Sequence, residues 1–329
     1  MQKQFALLDK LKDGRTHSGQ TLADEIGITR AAVWHQIKQL QDLGIDIHAV
    51  SGKGYRLPDG YEFLDSNDIR AACAAHTASE LGTIEVAQSI DSTNERLLKL
   101  TTTEDVHRRV CLAEYQTAGR GRRGASWLAP PGSGICLSLA WRFQETPNAI
   151  GALSLVIGLA VQRAVCSLGA EGVAVKWPND LYIEQNKPAK IAGILIEMRS
   201  ELAGPSMVVI GLGLNIHLSK EARKKIDQRA SDLASVSDEP PGRNATAGRV
   251  LAEILLALEQ FTEQGFAPFI EQWQRVDFLN GRNIKLHINN ETVEGLARGV
   301  DENGLLQLEI SKGGRRSMQG FFAGHVELL

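Results

Sequence analysis

The sequence predicts an α+β multidomain protein in three parts, and three observations support this. Residues 1–60 hold short amphipathic segments broken by turn residues; across 62–270 strands and helices interleave without a strict βαβ period; across 272–329 short strands follow one another at hairpin spacing. In order, these patterns predict a winged helix-turn-helix, a mixed sheet backed by helices, and a small closed β-barrel.

In the first part, Phe5, Leu8 and Leu11 mark one helix face, and Leu22, Ala23 and Ile26 mark a second. Gly27-Ile28 makes the turn, and Thr29 supplies an N-cap hydroxyl for a third helix running to about residue 43. There Val33, Ile37 and Leu40 face the core, and Gly44 ends the helix. The opposite face carries Arg30, Ala31, Trp34, His35, Lys38 and Gln41, a mixture suited to the major groove; the helix-turn-helix spans about 19–38. Residues 45–57 alternate around Ser51-Gly52-Lys53-Gly54, forming a hairpin wing that presents Lys53. Eight Lys/Arg against seven Asp/Glu leave residues 1–60 with a net charge of only +1. Phosphate neutralisation dominates non-specific DNA affinity, so one copy binds weakly and a two-fold site needs two copies.

In the second part, strands are expected over 84–86, 110–116, 134–143, 173–176, 191–198 and 207–216. Helices are expected over 94–100, with Asp91-Ser92-Thr93 as its cap, and over 150–168 and 246–264. In the third, strands over 284–288, 293–300 and 305–310 are separated by turns at Asn289-Asn290, Asp301-Glu302-Asn303-Gly304 and Lys312-Gly313-Gly314.

Composition sets limits. A net charge of −3 gives no bulk attraction to nucleic acid or membrane. Cys73, Cys111, Cys136 and Cys166 are scattered without ligand spacing and read as buried thiols of a reducing, cytoplasmic compartment. The apolar run 150–161 is too short to span a bilayer and reads as a core helix, with no membrane partner.

Two stretches carry the chemistry. Gly119-Arg120-Gly121-Arg122-Arg123-Gly124 packs three guanidiniums among glycines, just after Gln116 and before Trp127. Arg forks match phosphate and carboxylate oxygens, and glycine lets backbone N–H groups approach an anion. Lys176-Trp177-Pro178-Asn179-Asp180 sets an ammonium beside a rigid turn. Alone, the first could be a solvated basic loop and the second a plain turn. With Asp91-Ser92-Thr93-Asn94 upstream, and Lys190-Ile191-Ala192-Gly193 and Gly211-Leu212-Gly213-Leu214-Asn215 downstream, they form an ordered set.

That set resembles the biotin–protein ligases, and the N-terminal part narrows the resemblance to the bifunctional ligase and biotin operon repressor kind. The resemblance covers essentially the whole chain. It implies a class II synthetase-like central domain, an SH3-like C-terminal barrel, and ATP, Mg²⁺ and biotin as ligands. It further implies synthesis of biotinyl-5′-AMP and transfer to a lysine of the biotin carboxyl carrier protein of acetyl-CoA carboxylase. Operator DNA of the biotin operon and an adenylate-bound homodimer complete the partners implied.

On that basis Ser92, Thr93, Asn94, Gln116, Arg120, Gly121, Arg122, Lys176 and Gly193 are expected to hold biotin, with Trp127, Leu195 and Leu212 as apolar walls. Gly119, Arg120, Arg122, Arg123, Asn179 and Asn215 are expected at the nucleotide, with Lys176, Arg120 and Arg122 serving the reaction. Asn179 and Asp180 orient Lys176 or, through Asp180, a Mg²⁺, or serve only the turn. Residues 218–230 contain no aromatic where the family packs one on the adenine; Leu218, Ile226 and the stems of Lys224 and Arg229 would stand in. Two other readings remain at this point: an adenylate-sensing transcription factor without ligase activity, and a lipoate-type protein ligase.

Overall fold

The computed structural model describes residues 1–329 except 59, 146, 148, 185–186, 201–204, 290 and 314. Helices α1 (Gln2–Leu11), α2 (Gly19–Ile26) and α3 (Arg30–Asp42) are followed by a two-stranded wing, β1 (His48–Val50) and β2 (Gly54–Arg56). Ser18 and Thr29 cap α2 and α3 by accepting from Thr21 N at 3.0 Å and Ala32 N at 3.2 Å. Phe5, Leu8, Leu22, Val33, Ile37 and Leu40 close a small core of their own. Wing strand β2 bridges to His17, and a Cβ at Gly54 would lie 2.0 Å from the His17 carbonyl oxygen, so only glycine fits there.

The central sheet has seven strands in the order β3-β4-β5-β9-β8-β7-β6. They are β3 (Ile84–Ala87), β4 (Val110–Ala113), β5 (Gly134–Phe143), β6 (Val173–Lys176), β7 (Asp180–Ile183), β8 (Ala189–Ser200) and β9 (Ser206–Asn215). Among these described strands only β3 and β4 pair with each other in parallel. The helices are α4 (Ser66–Ala71), α5 (Ala75–Glu80), α6 (Thr93–Leu100), α7 (Leu153–Ser167), α8 (Lys220–Lys224), α9 (Arg243–Gln264) and α10 (Ile270–Val276). The strand expected over 110–116 stops at Ala113, and β7, α4, α5, α8 and α10 join the expected elements.

The span 150–167 proves long and apolar enough to cross a membrane, so length does not decide its role. Burial does: 61% of it lies inside the fold, where α7 packs against α9 and β6. Cys73, Cys111 and Cys136 are buried, Cys166 is half-buried, and all four are free thiols.

The C-terminal strands β10 (Asn283–Ile288), β11 (Glu291–Val300), β12 (Leu306–Lys312), β13 (Arg315–Phe321) and β14 (His325–Leu328) form an antiparallel sheet in the order β13-β12-β11-β10-β14. Asn290 and Gly314, expected in turns, lie outside the described residues; their neighbours Asn289 and Gly313 take the left-handed φ values of 50° and 57°. This sheet shares one continuous core with the central domain, through Ile284, Leu286, Leu306, Leu308 and Val326. The boundary drawn near 271 falls inside α10, whose Trp273 is fully buried in that same core.

Two groups of contacts fasten the N-terminal unit to the rest. Tyr61 donates to Glu114 at 2.8 Å, and Glu114 pairs with Arg243 at 2.8 Å with both side chains almost wholly buried. Ser219 Oγ donates to the Gly44 carbonyl at 2.6 Å, and Lys225 donates to the Asp42 carbonyl, so α8 abuts the C-terminal end of α3.

Candidate active site and nucleic-acid interface

At the N-terminus of α6, Ser92 accepts from Glu95 N as the N-cap. Gln116, just beyond β4, accepts from Thr93 N at 2.8 Å and from Thr93 Oγ1 at 3.1 Å. Asn94 Nδ2 donates to Glu197 at 2.8 Å and to the Leu195 carbonyl at 3.3 Å. Ser138 Oγ, on β5, lies 2.7 Å from Thr93 Oγ1 and 2.5 Å from Asn94 Oδ1. Buried polar groups must be paired, and this chain of side chains fixes the rotamers of Thr93 and Asn94 before any ligand arrives. Gly211 is required beside it, since a Cβ there would sit 2.4 Å from Asn94 Oδ1.

The arginine loop is held at its base, where Trp127 N donates to the Gly119 carbonyl at 2.9 Å and Gly121 N donates to the Ala125 carbonyl at 2.7 Å. A Cβ at Gly119 would meet the Trp127 carbonyl at 2.4 Å, so this glycine permits a close approach of two backbones. Arg120 reaches Glu95 at 3.2 Å and Glu197 at 3.1 Å. Arg122 Nη1 donates to Asn179 Oδ1 at 3.0 Å, joining the loop to the Lys-Trp-Pro-Asn-Asp turn. Burial and then Arg123 lower the pKa of Arg122, and Asp180 opposes them. Arg123 adopts φ 54°.

That second motif is the tight turn of the β6–β7 hairpin, in which Lys176 pairs with Asp180 in the ladder. Trp177 is buried and donates from Nε1 to the Gly304 carbonyl at 3.2 Å. Lys176 Nζ donates to the Val326 carbonyl at 3.2 Å and lies 4.8 Å from the centre of the Tyr182 ring. Burial holds the Lys176 ammonium below its ordinary pKa, Asp180 raises it and Lys190 lowers it. Asn179 Nδ2 donates to the Ile194 carbonyl at 2.8 Å, so Asn179 orients Arg122, not Lys176. Asp180 pairs with Lys190 at 2.8 Å. Among the described residues no group of three or more His, Cys, Asp or Glu is placed to hold a metal by itself, and one or two carboxylates beside substrate phosphates are the usual Mg²⁺ arrangement.

These elements wall a cavity of about 350 Å³. It is lined by Ser92, Thr93, Asn94, Gln116, Arg120, Gly121, Arg122, Arg123, Lys176, Asn179, Asp180 and Gly193, with Trp127, Leu195 and Leu212 on its apolar side. Two expected residues are not brought to it. Gly119 sits at the base of the loop against the Trp127 backbone, and Asn215 is buried with its amide donating to the Ser231 carbonyl at 3.1 Å. None of the four residues expected to replace the missing aromatic lines the cavity either. Leu218 is core, Lys224 pairs with Glu221, and from that segment Gln228 faces the site instead.

Sequence reasoning missed Ser138, Tyr182, Glu197, Gln228 and His325, and assigned no role to Lys190 despite noting its motif. Lys190 adds a second ammonium, 5.7 Å from the Trp127 ring centre. A carboxylate and a phosphate, which repel each other, can meet among five cations here, beside a preorganised polar pocket and an indole wall.

Comparison with known proteins matches this architecture part by part. Residues 86–215 match the Biotin/lipoate A/B protein ligase family, 3–56 an HTH domain, and 280–329 the Biotin protein ligase C terminal domain. The chain is 37% identical to the bifunctional ligase/repressor BirA of Salmonella typhimurium over 93% of this chain and 92% of that protein. The chain belongs to the bifunctional ligase/repressor family. BirA of Escherichia coli is 36% identical over 92% of this chain and 91% of its own. The biotin protein ligase from Aquifex aeolicus in complex with biotin and ATP superposes with a TM-score of 0.64 at 25% identity, covering 76% of this chain and 99% of that one.

In this ligase/repressor the α3 face expected to meet DNA is exposed, as the helical spacing requires. Val33, Ile37 and Leu40 are buried, while Arg30, Ala31, Trp34, His35 and Lys38 on α3 and Lys53 at the wing tip are exposed. Gln41 departs from that face: its Nε2 donates to the Ile47 carbonyl at 2.6 Å and steadies the approach to the wing.

Proposed function

We propose that this protein joins biotin to ATP as biotinyl-5′-AMP, releasing pyrophosphate. It then transfers the biotinyl group to a lysine of the biotin carboxyl carrier protein of acetyl-CoA carboxylase. The observation that carries this reading is the meeting of Lys176, Lys190, Arg120, Arg122 and Arg123 with the Thr93–Asn94–Gln116–Ser138 network around one cavity. In the first step a biotin carboxylate oxygen attacks the α-phosphorus and pyrophosphate leaves; no protein nucleophile is needed, so catalysis is positional and electrostatic. Lys176 and Lys190 neutralise the reacting carboxylate and α-phosphate. Arg122 and Arg123 hold phosphate oxygens, and Arg120 exchanges Glu95 and Glu197 for them. The polar network takes the ureido ring of biotin, and Trp127 takes its apolar body. Bound with the ATP phosphates, Mg²⁺ would supply charge that offsets theirs, with Asp180 the cavity carboxylate that could reach it.

The loop over the mixed anhydride excludes water until the acceptor arrives. The adenylate-bound form pairs into a homodimer whose two α3 helices occupy the operator DNA of the biotin operon. The small net charge of each N-terminal unit makes pairing necessary for useful affinity. All these steps take place in the cytoplasm. Incubating the protein with biotin, ATP·Mg²⁺ and a carboxylase carrier domain tests the reading. The carrier gains the mass of one biotinyl group, and a carrier of unchanged mass refutes it.

A further inference from the structure

His325 stands on β14 at the mouth of the cavity, supplied by the C-terminal sheet and not by the ligase sheet. The next residue, Val326, accepts the hydrogen bond of Lys176 Nζ at 3.2 Å, so the backbone that carries this imidazole is tied to the reactive end of the site. The imidazole itself makes no hydrogen bond or ion pair among the described residues. Its ring centre is 6.1 Å from that of His287, whose nitrogens face Thr292 at 3.1 Å and Glu327 at 3.3 Å. His325 is exposed enough to exchange protons with water.

The two half-reactions differ in what they ask of such a group. Adenylation begins from a carboxylate that is already a nucleophile. Transfer begins from a lysine side chain whose ordinary pKa, about 10.4, leaves it protonated and without a lone pair. A base at the mouth is needed only in the second.

We propose that His325 is the general base of the transfer step. This rests on the ligase reading above. The imidazole lone pair takes one proton from the acceptor ammonium, and the freed amine forms an N–C bond to the biotinyl carbonyl carbon. The C–O bond to the phosphate then breaks, its electron pair leaves with AMP, and the second amine proton passes to solvent. The imidazolium returns its proton to water at the exposed mouth. Burial, then Lys176, His287 and Arg123, lower the His325 pKa below the ordinary 6.5, opposed by Glu327, so the ring is neutral and able to accept at neutral pH. The same cations disfavour an ammonium beside them, which eases the lysine's loss of its proton.

His325→Gln in the full-length protein tests the assignment, because the side chain is exposed and the amide keeps its bulk. Adenylation is followed by pyrophosphate release, and transfer by single turnover from the preformed adenylate complex to the carrier domain across the imidazole range of pH. Transfer should slow about a hundredfold, far more than adenylation, as loss of a general base predicts. Below 6.5 the wild-type transfer profile should fall more steeply than the acceptor lysine's own protonation requires, and in the variant only the lysine's dependence should remain. Hydroxylamine, uncharged at neutral pH, should narrow the gap between variant and wild type when it replaces the carrier. Transfer at the wild-type rate, an acid limb as steep in the variant as in the wild type, or an equal fall in both half-reactions overturns the assignment. If the wild-type protein makes no adenylate, the ligase reading itself fails and takes this role with it.

Discussion

Replacing Arg122 by glycine should make the enzyme leaky without stopping it. The guanidinium donates to Asn179 Oδ1 at 3.0 Å and is the described side-chain hydrogen bond joining the arginine loop to the β6–β7 turn. It also lines both the main cavity and a neighbouring one of about 260 Å³, so it forms part of the wall between them. Arg122→Gly removes that bond and one phosphate contact, and it adds a further flexible residue between Gly121 and Gly124. A hydrogen bond to a charged group contributes about 1.5–3 kcal/mol. At about 1.4 kcal/mol per tenfold, biotinyl-AMP should then escape about ten- to a hundredfold faster. Arg120, Arg123, Lys176 and Lys190 remain, so synthesis continues. The released anhydride acylates lysines on bystander proteins. Stopped-flow measurement of adenylate release and a biotin blot against mixed proteins check the two consequences. An unchanged off-rate with labelling confined to the carrier would refute the reasoning and leave Arg122 a wall residue without a clamping role.

Lys176→Ala should slow adenylate synthesis by about 10² while biotin binding survives, as loss of one preorganised charge does; synthesis at the normal rate removes Lys176 from the chemistry. Deleting residues 1–60 should abolish operator binding, read by gel shift with biotin and ATP. Ligation should be reduced but retained, because α8 loses its contacts with Asp42 and Gly44; a truncated protein that still shifts operator DNA would show that the recognition surface lies elsewhere. Gly213→Ala places a Cβ 2.2 Å from Trp127 Cε2 and must expel the indole from the cavity wall. An overpacking cost of about 1–3 kcal/mol should weaken biotin binding about tenfold or more by calorimetry, and wild-type affinity would show that the indole is no part of the biotin pocket.

Much of the fold was legible because local signals were strong and agreed with each other. The alternating run that became β5 was predicted at its observed bounds, and β6 ends at Lys176 as its motif required. The caps at Ser92 and Thr29 were readable because a side-chain oxygen next to a helix start has one obvious use. Two kinds of omission have a clear physical cause. Strand β13, with Arg315, Arg316, Ser317, Met318 and Gln319 all exposed, has no apolar face to announce it. The second kind is partnerships over long separations. Glu114 and Arg243 stand 129 residues apart, and Ser138 looks like an ordinary small residue of an apolar strand until Thr93 and Asn94 fold against it. Lys190 lay in a recognised motif, but its ion pair with Asp180 depends on the register between β7 and β8. Asn215 shows the opposite error: a motif placed it at the nucleotide, and packing gave its amide to the Ser231 carbonyl.

The residues around the cavity run from Ser92 to Val326, and the last to be made are Gly324, His325 and Val326. A chain leaving the ribosome therefore completes its helix-turn-helix core, closed by residue 57, long before the wall that receives Lys176 exists. Domains generally fold as units, N-terminal first. Until the final strand pairs with β10, the side of the cavity that β14 closes stands open to water, and a mixed anhydride formed there would be hydrolysed. The order of synthesis thus separates the two halves of the molecule in time: the part that reads DNA is finished early, and the cavity is closed only when β14 has been made.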